Sequence, residues 1–216
     1  MHASVNDVVL AVTAAGLRRY LRRRGELPER PLLVGVPVSL REAGDTRMRN
    51  QVTMLIASLA TDVDHPIARL EAIKRSARLG KEVLVEARAL QVEDLHVPGL
   101  PAVMAGAARV AERLRIADLV GGPVNLVVSN VMGPTRPKYL FGARMLTHYP
   151  VSIPAHSAAL NVTVQSYCDR VDLGVTACLD AVPDAHALRD DILEGWTELR
   201  DALGFRDVPE APAAAA

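Results

Sequence analysis

Between Leu160 and Val175 the chain alternates apolar and polar side chains twice. Leu160, Val162 and Val164 interleave with Asn161, Thr163 and Gln165, and after a short connection around Asp169 the rhythm returns at Val171, Leu173 and Val175. A period of two puts like residues on one side of an extended strand, so these runs predict a β-hairpin with a single buried face. A lone hairpin is marginal in water; it needs more strands beside it and another layer over its apolar side. That demand organises the reading of the rest of the chain.

Candidates for the missing strands are short apolar runs bounded by turn residues. They are LLVGVPVSL (32–40), QVTMLIASLA (51–60), PVNLVVSNV (123–131, closed by the breakers GPTRP) and ARMLTHYPVS (143–152). The first is apolar throughout, which suggests cover on both faces, while Pro37 within it argues for an edge position or a bulge. The covering layer comes from helices. Ser4 followed by Asp7 has capping-box spacing, Val5, Val8, Val9 and Val12 recur at helical period, and Gly25 suits the left-handed position after the last turn. Asp64 and Pro66 open a second helix to about Leu84, with Ile67, Leu70, Ile73 and Ala77 on one stripe. A third is predicted from Pro101 to Leu114. A last one is capped by Asp184 and carries a stripe of Leu188, Ile192, Trp196, Leu199 and Leu203. The order predicts one α/β domain over 1–206, a mixed sheet flanked by helices, with 207–216 a disordered tail.

Composition narrows the function. Half of the 216 residues are hydrophobic, and 25 acidic residues balance 25 basic ones, so no whole-chain field attracts nucleic acid or an anionic membrane. The exception is local: Arg18, Arg19, Arg22, Arg23 and Arg24 gather at a predicted helix end, where cations complement the dipole, or where a phosphate or lipid headgroup would be held. Cys168 and Cys178, on the two arms of the predicted hairpin, have no C-x-x-C spacing and suggest neither zinc nor a redox centre. No apolar run reaches the ~18–20 residues that span a bilayer. The expectation is a cytoplasmic chain with reduced thiols and at most peripheral contact with a membrane or lipid droplet.

Several ordered motifs carry a family resemblance. SVNDVVLA with Asn6 and Asp7, VPVSLR (Val36 to Arg41) followed by NQV (Asn50 to Val52), SNVMGP (Ser129 to Pro134), and LNVTVQSY (Leu160 to Tyr167) followed by VPD (Val182 to Asp184) run in register from Ser4 to about Leu203. Together they resemble the C-terminal domain of the bacterial wax ester synthase/diacylglycerol acyltransferase family. There are departures: Arg49 stands where that family usually has glycine, Ala60 where proline is usual, and Met132 replaces the proline of S-N-V-P-G-P. Loss of that proline removes a preset φ but leaves Gly133 and Pro134 to make the bend.

The resemblance implies one half of a chloramphenicol acetyltransferase-like fold, in which two α/β halves enclose a tunnel. In the family, acyl-CoA meets diacylglycerol or a fatty alcohol at a histidine of an H-H-x-x-x-D-G motif in the N-terminal half. The chemistry explains the motif: an alcohol is a poor nucleophile at neutral pH, so a histidine must take the hydroxyl proton as the thioester is attacked. Acyl-CoA enters as substrate, and no cofactor or metal is implied. This chain has six histidines, His2, His65, His96, His148, His156 and His186; none is paired and none precedes Asp-Gly at that spacing. The sequence reads as the C-terminal half without the N-terminal catalytic half.

The residue-level expectations follow. Asn6 and Asp7 are expected to support the active site, or else to cap a first turn. Ser129 and Asn130 end a strand and either line a cleft or satisfy turn amides. His148 and His156 flank Tyr149 and Pro150 and have no evident carboxylate partner, which disfavours either as a substitute base. The leading expectation is a half-enzyme inactive alone, completed by a histidine-bearing half, with a second copy as another way to cover its apolar face. The alternative is a non-catalytic lipid- or partner-binding module.

Overall fold

The computed structural model describes residues 2–39, 52–89, 123–154 and 158–205. Helix α1 (Val5–Arg24) leads into strands β1 (Leu33–Ser39) and β2 (Val52–Ser58), helix α2 (Pro66–Ala89), strands β3 (Leu126–Val131), β4 (Tyr139–Leu140), β5 (Ala143–Arg144), β6 (Leu160–Tyr167) and β7 (Arg170–Ala177), and helix α3 (Ala185–Ala202). The helix expected at 101–114 lies outside the described residues, as do Arg49, His96 and His156. No described helix is long and apolar enough to cross a membrane.

Five strands form a mixed sheet in the order β2-β1-β3-β6-β7. The central strands β1, β3 and β6 run parallel, and β2 and β7 pair antiparallel at the two edges. Register fixes the faces. Val34, Val36, Leu55, Ala57, Leu126, Val128, Leu160 and Val162 point to one side, where Leu10, Ala14, Leu17 and Tyr20 of α1, Leu70 and Ile73 of α2, and Leu188, Ile192 and Leu199 of α3 close the core.

Several expectations are corrected in detail. Of the expected α1 stripe, Val8, Val9 and Val12 pack against the core and Val5 is exposed; full burial runs from Leu10 to Tyr20, where α3 crosses. Trp196 is exposed, and Gly195 takes its place on the buried stripe of α3, because the α1 backbone passes too close for a large side chain. α2 runs past Leu84 to Ala89, with no glycine or proline to stop it. The strand expected over 143–152 shrinks to Ala143–Arg144, paired with Tyr139–Leu140 around a turn in which Phe141 and Gly142 both have positive φ. From Met145 onward the chain is an irregular strap across β7: the Pro150 carbonyl packs where a Cβ on Gly174 would stand. β6 is buried on both sides rather than one, and Thr163 Oγ1 donates to Asn161 Oδ1 at 2.7 Å within that second layer. Cys168 lies in the β6–β7 turn with φ 54° and Cys178 beyond the far end of β7, so the thiols are at opposite ends of the hairpin.

Pro37 is reconciled with an internal strand by a local opening. The β1–β3 ladder consists of Val34 opposite Leu126 and Gly35 opposite Val127, while β1 continues against β2 to Ser39. Leu33 and Asn125 bond across the β1–β3 seam, so odd-numbered residues of β1 aim their backbone polar groups toward β3. The N–H that Pro37 lacks would thus point into the stretch where β3 has already diverged.

Ala60 shows what a departure from the family pattern does. It sits at φ 46°, and its N–H donates to Ser58 Oγ at 3.1 Å. Proline fixes φ near −65° and has no N–H. Ala60→Pro, although it restores the family's usual residue, is therefore expected to destabilise the chain by more than about 1 kcal/mol, read as a lower midpoint in urea unfolding.

Candidate functional site

The opening between β1 and β3 is where the motifs meet. Beyond Gly35 and Val127 the sheet forks. One prong is Val36–Ser39 with its β2 partners Leu55 to Val52, and the other is Val128–Val131 with its β6 partners Val162 to Gln165. These are the VPVS, SNV and LNVTVQ segments with Val52 of NQV, widely separated in sequence and brought to the carboxyl ends of the parallel strands. In open α/β sheets that is the end at which ligand crevices form.

The fork's rim is held by backbone and side-chain bonds. Gly133 N–H donates to Ser166 Oγ at 3.0 Å, and a Cβ there would collide with the Ser166 carbonyl, so the Gly-Pro bend needs glycine although Met132 has replaced proline. Cys168 N–H donates to the Pro134 carbonyl at 2.8 Å. The Tyr167 hydroxyl accepts from Lys138 N–H and donates to the Met145 carbonyl, both at 2.9 Å. Asp172, nearly buried, accepts from His148 N–H at 2.6 Å. Tyr167 and Asp172 as strap anchors were not legible in the sequence; only the motif position of Tyr167 hinted at a role.

The expected site residues separate. Ser129 faces the side of the sheet away from the core helices, level with Thr163, while Asn130 aligns with Leu126 and Val128 on the helix side and is exposed at the strand end. Asp7 is engaged in capping: its carboxylate accepts from Ser4 N–H at 2.8 Å and Ser4 Oγ at 2.7 Å. Asn6, half-buried, makes no side-chain hydrogen bond to a described residue. Both sit at the end of α1 remote from Arg18, which donates to the Thr61 carbonyl at 2.6 Å near the amino ends of the parallel strands. At 1.5 Å per residue, Asn6 stands about 18 Å along the helix from that anchor. His148 has no ring–carboxylate pair: Asp172 takes its backbone N–H, and its buried Nδ1 has no partner among the described residues.

The arginines of α1 each meet a carboxylate. Arg18 pairs with Asp64, Arg19 with Glu194 and Glu198, Arg23 with Asp191 at 2.6 and 2.9 Å, and Arg24 with Glu26. Hydrogen bonding from Arg18 holds the Asp64 carboxyl below the ordinary carboxylate range, and burial draws the Arg69 guanidinium below its usual value despite Glu198 beside it. The cluster therefore staples α1 to α2 and α3 in addition to complementing a helix dipole.

Among the described residues, two stretches of exposed apolar surface lie off the helix layer. Leu33, Val52, Met54 and Ile56 are exposed on the far face of β1 and β2. From the Gly-Pro bend through the β4–β5 tip to the strap, Met132 and Val151 are each 90% exposed and Phe141 is fully exposed, with Leu140 and Ile153 also outward.

Known proteins resemble this chain. The family model for the WS/DGAT C-terminal domain matches residues 48–200. An O-acyltransferase WSD from Acinetobacter baylyi is 37% identical over 189 residues, covering 85% of this chain and 38% of the relative. A putative diacyglycerol O-acyltransferase from Mycobacterium tuberculosis is 39% identical over 209 residues, 94% of this chain and 40% of its own length. Among solved structures, the wax ester synthase/diacylglycerol acyltransferase from Marinobacter aquaeolei VT8 superposes with a TM-score of 0.66 at 32% identity, over 93% of this chain and 44% of that one. The starter condensation domain of rhizomide synthetase, at 13% identity and a TM-score of 0.51 over 93% of this chain and 43% of that domain, shares the fold alone. The chain thus spans about two fifths of the length of the curated relatives it matches.

Proposed function

Because the chain belongs to the WS/DGAT C-terminal domain family, we propose that it forms the second wall of an acyl-CoA-dependent O-acyltransferase tunnel for diacylglycerol or wax ester synthesis, and that it is inactive alone. The observation that carries this reading is the convergence of the family motifs on one forked sheet edge, in a chain with no histidine in the H-H-x-x-x-D-G setting.

In the reaction, the alcohol oxygen attacks the thioester carbonyl, its proton passes to a histidine, and the C–S bond breaks as the CoA thiolate leaves and takes a proton. Everything in that sequence except the base can be shared between two walls. Here the fork, lined by Ser129 on one face and Asn130 on the other, is the segment of tunnel wall, and Asn6 is the polar side chain left unengaged to reach it. Asp7 acts through structure, fixing the first turn that presents Asn6. The base comes from a histidine-bearing half. Acyl-CoA and the alcohol are substrates of the assembled enzyme, and contact with a membrane or lipid droplet is at most peripheral.

The exposed apolar strap also fits the alternative of a binding module without turnover. The two are separated by co-purification with a histidine-bearing N-terminal half from a relative. The half-enzyme reading expects a stable one-to-one complex by size-exclusion chromatography with light scattering. Binding of a fluorescent acyl-CoA by the chain alone, with no complex, would favour the module instead.

A further inference from the structure

At the end of α1 opposite Asn6, a cleft of about 150 Å³ opens between the three helices, lined by Ala15, Arg18, Arg19, Arg22, Asp64, Arg69 and Glu198. We propose that this cleft binds a phosphate-class dianion. Four guanidiniums meet two carboxylates in its lining, and Glu194 reaches Arg19 from outside, so among the described residues the local charge stays positive after these ion pairs are made.

The donors are not exhausted by those pairs. Arg22 reaches Asp64 only at 3.7 Å, and its side chain is 67% exposed. Arg69 is nearly wholly buried. It donates to the Val63 and Asp64 carbonyls and to Glu198; its Nε has no acceptor among the described residues but is itself closed off from solvent, so the donors open to an incoming anion are those of the α1 arginines. A buried donor without an acceptor is costly, and a buried cation with partial compensation favours a nearby negative charge. Asp64 and Arg69 flank the first turn of α2, whose amino-terminal partial charge has the same preference.

The occupant is set by geometry. Planar guanidinium forks arriving from α1 and α2 suit an oxyanion with several acceptor oxygens in different directions, which a phosphate monoester supplies and a halide does not. The same headgroup chemistry is offered by a soluble phosphate and by phosphatidic acid in a bilayer. The site stands apart from the forked sheet edge, so its failure would leave the acyltransferase reading untouched.

The test uses the full chain. Isothermal titration with inorganic phosphate, and separately with phosphatidylcholine vesicles containing phosphatidic acid, is compared for the wild type and for Arg22→Glu. That variant is expected to fold normally, since Arg22 is exposed and its one contact is long. Wild type is expected to bind in at least one arm, and Arg22→Glu at least tenfold more weakly, with Arg22→Lys, which keeps the charge but not the fork, in between and equal thermal midpoints showing that all three are folded. Binding to vesicles alone identifies a lipid headgroup, and binding of inorganic phosphate a soluble ligand. Absence of binding in both arms, or equal binding by Arg22→Glu, overturns the proposal.

Discussion

Gly16→Val is expected to unfold the helix layer. A Cβ at Gly16 would lie 2.7 Å from Ile192 Cα and against its side chain, and one at Gly195 would lie 2.6 Å from Ala15 Cβ. The two helices are thus in backbone contact at this crossing, and neither can yield without moving Leu10, Leu17, Leu188 and Leu199, which close the core over the sheet. Overpacking a tight core site costs about 1–3 kcal/mol where side chains can adjust, and here the obstacle is main chain. The expected loss is at least about 3 kcal/mol, or roughly 6–12 °C in thermal midpoint for a domain of this size. Gly25→Ala, where φ is 70° but nothing stands within 4 Å, should cost only about 1 kcal/mol. A Gly16→Val protein that unfolds like the wild type would mean that α1 and α3 do not cross this way.

Leu140→Asp with Phe141→Asp is expected to do the reverse: leave the chain folded and abolish its association with a histidine-bearing half. Both side chains are outward at the β4–β5 tip and contribute nothing to the core, and Phe141 lies in the left-handed region that aspartate tolerates. If the β4–β5 tip is buried against the other half, each loses about 1.5–3 kcal/mol of apolar burial, so binding should weaken at least about a hundredfold. Surface plasmon resonance against the immobilised half reads this directly. An unchanged affinity would place the interface elsewhere, with the exposed face of β1 and β2 the next candidate.

How much of this was legible beforehand depended on whether a residue's surroundings were local. Capping of α1 by Ser4 and Asp7, the left-handed Gly25, and the β6–β7 hairpin were all written in short-range spacing and are present as read. Burial of Asn161 and Thr163 was not, because it depends on a strap from residues 145–154 crossing the hairpin, and nothing in an alternating run says whether its polar side is also covered. Trp196 misled for a related reason: helical period identified its face, but only the approach of α1 shows that this face admits glycine and not tryptophan. Pro37 was read as an edge signal and lies on an internal strand, since the edge it marks is the local one created by the fork. The motifs gave the family. Their meeting at one sheet edge required the topology.

The measurement that bears most directly on the central claim is ester formation from radiolabelled acyl-CoA and diacylglycerol or a fatty alcohol. It is made with the chain alone, with a histidine-bearing half alone, and with the two together. Labelled ester is expected only from the mixture, with Asn6→Ala in this chain lowering the rate and Asp7→Ala lowering stability first. Turnover by the chain alone would contradict it, as would a mixture that forms a complex and yields no ester.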